Sequence, residues 1–243
     1  MRIIFFGSSH GVPEPNRRAS SALVEVGENR YFIDMGTQSI EELITRRIPV
    51  ESVKAIFITH MHGDHTDGLI SYLDLCSWYF KKADPAVFLP EPFEDTIAAM
   101  KAWLKCTGVE MRPFQFSRVE EGPLYRDDSI SIQAFRTQHC ASSYAFLVEA
   151  EGKRVLFSGD LSGQGPQSDF PISTLEAQLD LAICESAHFP ATAYLPIFKD
   201  QTNLKRLCFN HYSDRYLASV LEMSNALPGV KVFRAMDGTE IQL

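Results

Sequence analysis

Residues 57–69 read FITHMHGDHTDGL. Within them His60, His62, Asp64 and His65 spell HxHxDH, directly after the apolar run of a strand, KAIFITH at 54–60. Two histidines two apart on extended chain project to the same side, and a following turn can swing Asp64 and His65 round to face them. Three imidazoles and a carboxylate crowded into one loop repel each other on protonation, and a bound metal removes that cost. The loop therefore predicts a metal site.

Outward from this loop, later strands also end in ligand-type residues: FRTQHC at His139, VLFSGD at Asp160 and LCFNH at His211. Strand ends of packed sheets converge at one edge, so these side chains can meet the first four. A dinuclear site needs more ligands than one segment supplies, and seven from four strand ends suffice.

The remaining elements frame the site. Strands are expected at 2–7, 20–26, 31–35, 86–90, 129–136, 144–150, 153–158, 179–186, 204–211 and 230–235, from short apolar or alternating runs bounded by turn residues. Helices are expected at 39–47, 65–82, 91–105 and about 214–226, where apolar residues recur at helical spacing. Strand-helix pairs in each half predict an α/β fold of two packed sheets with helices outside, in a single domain over 1–243. No linker, low-complexity tract or long charge block breaks the chain.

Composition narrows the partners. The net charge of −8 gives no basic face that could track a long phosphate backbone, which speaks against extended RNA binding. The paired arginines at 17–18 and 46–47 read as solvated faces. Cys76, Cys106, Cys140, Cys184 and Cys208 are odd in number, lack CxxC spacing and read as small buried apolar residues in a reducing compartment. With no signal-peptide core and no 18-residue apolar stretch, the expectation is a cytoplasmic protein without a membrane partner.

These motifs together resemble the metallo-β-lactamase superfamily, and within it the ribonuclease Z group and its phosphodiesterase relatives. FFGSSHGVPEPNRRASSALVEV is similar to that group's opening strand, loop and second strand, FIDMGTQ to its Asp-x-Gly turn, THMHGDH to the metal motif, FSGD to the bridging aspartate and NHYSDRY to the closing segment. The resemblance implies a four-layer αβ/βα sandwich and two Zn²⁺ ions, with Mn²⁺ or Fe as substitutes. His60, His62 and His139 would hold one ion, Asp64, His65 and His211 the other, and Asp160 both. It implies a hydrolase using a metal-bridging hydroxide, above all a phosphodiesterase, and a homodimer as one assembly.

Further residues are candidates around that centre. Asp64 can also orient the attacking water or hold its proton. Asp34 either orients a ligand histidine or caps the helix beginning near Gly36. Where the group carries a histidine before Glu185, this chain has Cys184. His188, three residues beyond Glu185, is then a candidate proton donor to the leaving oxygen, or a histidine bonded locally at a turn. His10 and Arg215 are candidate substrate contacts, each with a plain structural alternative, a surface histidine and an ion pair. Only 20 residues separate His139 from Asp160, so the tRNA-gripping arm of bacterial ribonuclease Z enzymes is missing. That puts tRNA 3′ processing in doubt and favours small phosphodiesters such as cyclic nucleotides or sugar phosphates. The alternatives are a dizinc hydrolase of another ester, thioester or lactam, and a non-catalytic, carrier-like metal-binding protein.

Overall fold

The computed structural model describes residues 1–243 as two seven-stranded sheets laid face to face, with helices on both outer surfaces. The first sheet is built from β1 (Arg2–Gly7), β2 (Ser21–Val26), β3 (Asn29–Met35), β4 (Val53–Phe57), β5 (Ala86–Leu89), β6 (Phe116–Arg118) and β14 (Glu240–Gln242), in the order β14-β1-β2-β3-β4-β5-β6. The second contains β7 (Gly122–Arg126), β8 (Ser131–Arg136), β9 (Tyr144–Ala150), β10 (Lys153–Phe157), β11 (Leu181–Ser186), β12 (Arg206–Tyr212) and β13 (Lys231–Arg234), in the order β13-β12-β11-β10-β9-β8-β7. Helices α1 (Ser39–Thr45), α2 (Gly63–Trp78) and α3 (Phe93–Cys106) cover the first sheet. The short α4 (Leu195–Phe198) and α5 (Leu217–Ala226) cover the second. This is the four-layer αβ/βα sandwich.

Strand alternation produces the layers. Along β1, Ile3 and Phe5 enter the core between the sheets, while Ile4 and Phe6 enter the core under α1 and α2. Along β9, Phe146 and Val148 face inward, and Ala145 and Leu147 face the outer layer. Successive side chains of a strand point to opposite faces, so a strand buried on both must be apolar throughout. Each fully buried Phe, Leu or Ile removed from water contributes about 1.5–3 kcal/mol. In both sheets the strands around the site are parallel: β3, β4, β5 and β6 in one, β10, β11, β12 and β13 in the other. Their carboxyl ends therefore share one edge.

Several expectations need correction. The strand at 54–60 ends at Phe57, while those expected at 129–136 and 153–158 end at Arg136 and Phe157, so His60, His139 and Asp160 all sit on loops just beyond their strands. The helix expected from 214 begins as a 3-10 turn at Asp214–Tyr216. Strands β6, β7 and β14 were not expected; they are short and at or near sheet edges, where one-sided burial leaves no apolar run. Cys106 is exposed and Cys140 half-buried, unlike Cys76, Cys184 and Cys208. Arg17 is buried rather than solvated, because carboxylates and carbonyls surround it.

Candidate metal centre

Six of the chain's seven histidines meet at the shared strand edge. His60, His62 and His139 form one cluster of donor atoms, Asp64, His65 and His211 a second, and His60, His65 and Asp160 a third that joins them. Asp160 lies between the two groups: Oδ2 is 3.2 Å from His211 Nε2, 3.6 Å from His139 Nε2 and 3.8 Å from His60 Nε2, and Oδ1 is 3.5 Å from His65 Nε2. Asp64 Oδ2 lies 3.3 Å from His65 Nε2 and 3.7 Å from His211 Nε2. The structure thus brings together all seven residues singled out in the sequence.

The donor set fits divalent cations. His60 Nε2 and His139 Nε2 lie 3.0 and 3.1 Å from the same atom, His62 Nδ1, so three ring nitrogens converge on one point. Buried His65 Nε2 and Asp160 Oδ1 have no hydrogen-bond partner. Every cationic group within 4.0 Å of Asp64 or Asp160 is a histidine, with no lysine or arginine to balance the carboxylates. Buried charges without a partner are costly, and two cations would satisfy nitrogens and carboxylates at once.

The imidazoles are tuned apart. Burial pushes His60 down to about 2, and the neighbouring His65 adds to the effect, so the ring is neutral and offers a lone pair. His65 goes the other way: burial opposes its charge, but Asp34 and Asp160 hold it well above the usual imidazole range. Burial likewise opposes the ionised forms of Asp64 and Asp160, and the histidines beside them outweigh it, so both stay below the ordinary carboxyl range.

Local backbone aims these side chains. Pairing of β2 with β3 slips by one residue at Asp34, and pairing of β11 with β12 slips at Asn210 and His211. Both Asp34 and His211 take positive φ, +58° and +54°. A β-bulge that turns a side chain out of the pleat is a recurrent device beside active sites. Turned this way, Asp34 accepts from His65 Nδ1 at 2.7 Å, from the Thr59 amide at 2.7 Å and from the Thr59 hydroxyl. It does not cap a helix: the residue before α1 is Gln38, with no side-chain cap bond. The sequence reading missed Thr59, whose hydroxyl also lies 3.1 Å from His60 Nδ1; a polar residue ending the apolar run before HxHxDH was the available signal.

On the far side, the fully buried Glu185 accepts from the amides of Leu161, Ala187 and His188 and from His188 Nδ1 at 2.8 Å. It thereby ties the Asp160 loop to His188. A ring nitrogen of His188 lies within 4.8 Å of the donor atoms of His139 and Asp160, and hydrogen bonding to Glu185, against the effect of burial, raises its pKa. His10 is held by Glu14 at Nε2 and accepts from the Val12 amide at Nδ1, so both ring nitrogens are engaged. Arg215 is exposed, donates Nη2 to Ala187 O and lies over the Tyr216 ring.

This sandwich and seven-residue cluster define a protein of the metallo-β-lactamase fold. Solved structures agree with the fold: the human short-form tRNase Z (ELAC1) superposes with a TM-score of 0.76 at 22% identity, covering 100% of this chain and 99% of that one. YhfI from Bacillus subtilis gives 0.76 at 17% identity, covering 99% of each. Ribonuclease Z of Shouchella clausii is 27% identical over 157 residues, 63% of this chain and 49% of the relative. That of Geobacillus kaustophilus is 30% identical over 152 residues, 61% and 48% respectively. The matched stretch thus spans about half the length of these curated relatives. Residues 1–181 match the family described as Anti-Pycsar protein Apyc1, and the chain belongs to that family.

Proposed function

We propose that the chain is a two-metal phosphodiesterase for small phosphodiesters. The observation that carries this reading is the convergence of two donor clusters on the shared carboxylate of Asp160, whose buried Oδ1 has no hydrogen-bond partner. His60, His62 and His139 would hold one zinc ion, Asp64, His65 and His211 the other, and Asp160 both, with Mn²⁺ or Fe as substitutes. When bound, such a pair lowers the pKa of a water towards neutrality and neutralises charge developing on a phosphodiester oxygen.

The chain's own groups do the rest. Asp34, backed by Thr59, fixes the His65 ring so that Nε2 faces inward, and Thr59 does the same for His60. The second oxygen of Asp64 orients the attacking water and takes its proton. Glu185 holds His188 through Nδ1 and favours its charged form, which then gives a proton to the leaving oxygen. Arg215, next to that path, pairs with a phosphate oxygen. His10 braces the loop that borders Asp64: a Cβ on Gly11 would lie 3.5 Å from Asp64 Oδ2.

The short connection between His139 and Asp160, filled by the β9–β10 hairpin alone, supports substrates that fit at the metal edge, such as cyclic nucleotides or sugar-phosphate diesters, over folded RNA. The test is turnover by the metal-loaded chain on cyclic and linear phosphodiesters beside a thioester. Phosphodiester turnover is expected, and His188→Ala should lose about 10²–10⁴-fold on substrates with poor alkoxide leaving groups but far less on a bis-aryl phosphodiester, whose leaving group needs no proton. Turnover of the thioester alone would overturn the reading, and equal losses on both diesters would remove His188 from the donor role.

A further inference from the structure

Between β1 and β2 the chain buries an arginine that the chemistry above does not use. Arg17 is 4% exposed. Its Nη1 donates to two main-chain carbonyls, Ser8 O at 3.2 Å and Tyr212 O at 3.0 Å. Its Nη2 donates to Glu14 Oε2 at 2.6 Å and Asp214 Oδ1 at 2.8 Å, and Cζ lies 3.8 Å from the centroid of the Tyr212 ring. Taking a guanidinium out of water costs several kcal/mol unless fixed partners replace its hydration. Here the partners come from the first loop and from the last ligand strand, nearly 200 residues apart in sequence.

Both carbonyls belong to the frame around His211. Ser8 O also accepts the His211 amide at 3.1 Å, and Ser9 pairs with Tyr212 in an isolated parallel bridge. Tyr212 is the residue that follows His211. A residue other than glycine at positive φ costs roughly 1–3 kcal/mol and persists only where its surroundings over-determine it. Arg17 grips the carbonyl that receives the His211 amide and the carbonyl of the residue just after His211. A lysine has no planar fork with which to reach two carbonyls and two carboxylates together.

We propose that Arg17 is a positioning residue for His211: its fork holds the β12 bulge so that His211 Nε2 faces Asp64 and Asp160, and it thereby sets the affinity of the metal position formed by Asp64, His65 and His211. The inference rests on the two-metal reading above. The test is titration of the chelator-stripped full chain with Zn²⁺ against a competing indicator, in wild type, Arg17→Lys and Arg17→Met. His211→Ala identifies which of the two binding steps belongs to this position. Arg112→Lys is the control, because Arg112 also binds two carbonyls, Cys76 O and Ala83 O, and lies over an aromatic ring far from the site.

Two steps are expected in wild type. Both Arg17 variants should weaken the His211 step about 10–100-fold and leave the other unchanged, as loss of a group behind a ligand does. Arg112→Lys should lower Tm without moving either step. Should an Arg17 variant unfold, Asp214→Ala, at an exposed partner of the fork, should show a smaller loss of the same step. Unchanged affinity in folded variants, or an equal loss in Arg112→Lys, would overturn the inference alone. A wild-type chain that binds fewer than two ions would overturn the two-metal reading and this inference with it.

Discussion

Asp34 and His211 lie one in each sheet, each at a bulge, each at positive φ and each at the cluster of donor atoms. Neither conformation is written in a local motif, since bulges arise from pairing between distant strands. HxHxDH was legible because its ligands are adjacent in sequence, and the later three because each follows an apolar run. The supports Thr59, Arg17 and Glu14 were not, because their partners lie in other segments. Asp34→Ala should weaken metal binding about 10–100-fold while the chain stays folded, as measured by competitive titration. Glu14 gives a pH test. Burial opposes its charge, but the Asp214 amide and Arg17 outweigh it and bring its pKa from 4.5 down to about 2. A depressed carboxyl contributes stability above its unfolded pKa that is lost as pH falls towards the folded one. The Tm advantage of wild type over Glu14→Gln should therefore be full at pH 6 and shrink between about 4.5 and 2; a gap constant over that range would contradict the pairing.

At the scale of elements, close backbone approach sets where the metal loop lies. A Cβ on Gly36, between β3 and α1, would fall 1.8 Å from Asp64 O, and one on Gly68 of α2 would fall 1.8 Å from Thr37 O. Glycine at both points lets α2 and its first turn pack directly on the segment after β3, which puts Asp34 within reach of His65. Gly36→Ala should cost roughly 1–3 kcal/mol or more through overpacking and displace Asp64, lowering both Tm and metal affinity. Gly229→Ala, where nothing lies within 4 Å, should leave both nearly unchanged. Helices and double-sided strands were readable from periodicity and continuous apolar runs. The element ends were less so: the strand expected to reach His60 stops three residues earlier, as the strands before His139 and Asp160 also do.

Across the whole molecule, the two sheets are joined by an apolar core and by polar contacts away from the site, among them a knot at Asp127. Asp127, in the turn between β7 and β8, accepts from Tyr31 of the first sheet at 2.6 Å and from Tyr125 of the second at 2.8 Å. Asp127→Ala would orphan the hydroxyl of fully buried Tyr31, at about 1–3 kcal/mol, and should lower Tm by roughly 2–4 °C for each kcal/mol without changing metal content. That separation of stability from metal binding follows from the layout, in which the core builds the sandwich and the strand edge gathers the donors. The most direct test of the account is the metal content of the loaded chain, by elemental analysis and native mass spectrometry, in wild type and Asp160→Ala. Two ions per wild-type chain and no stable pair in the variant are predicted; a chain that retains no ion after loading, or the same content in both proteins, would contradict it.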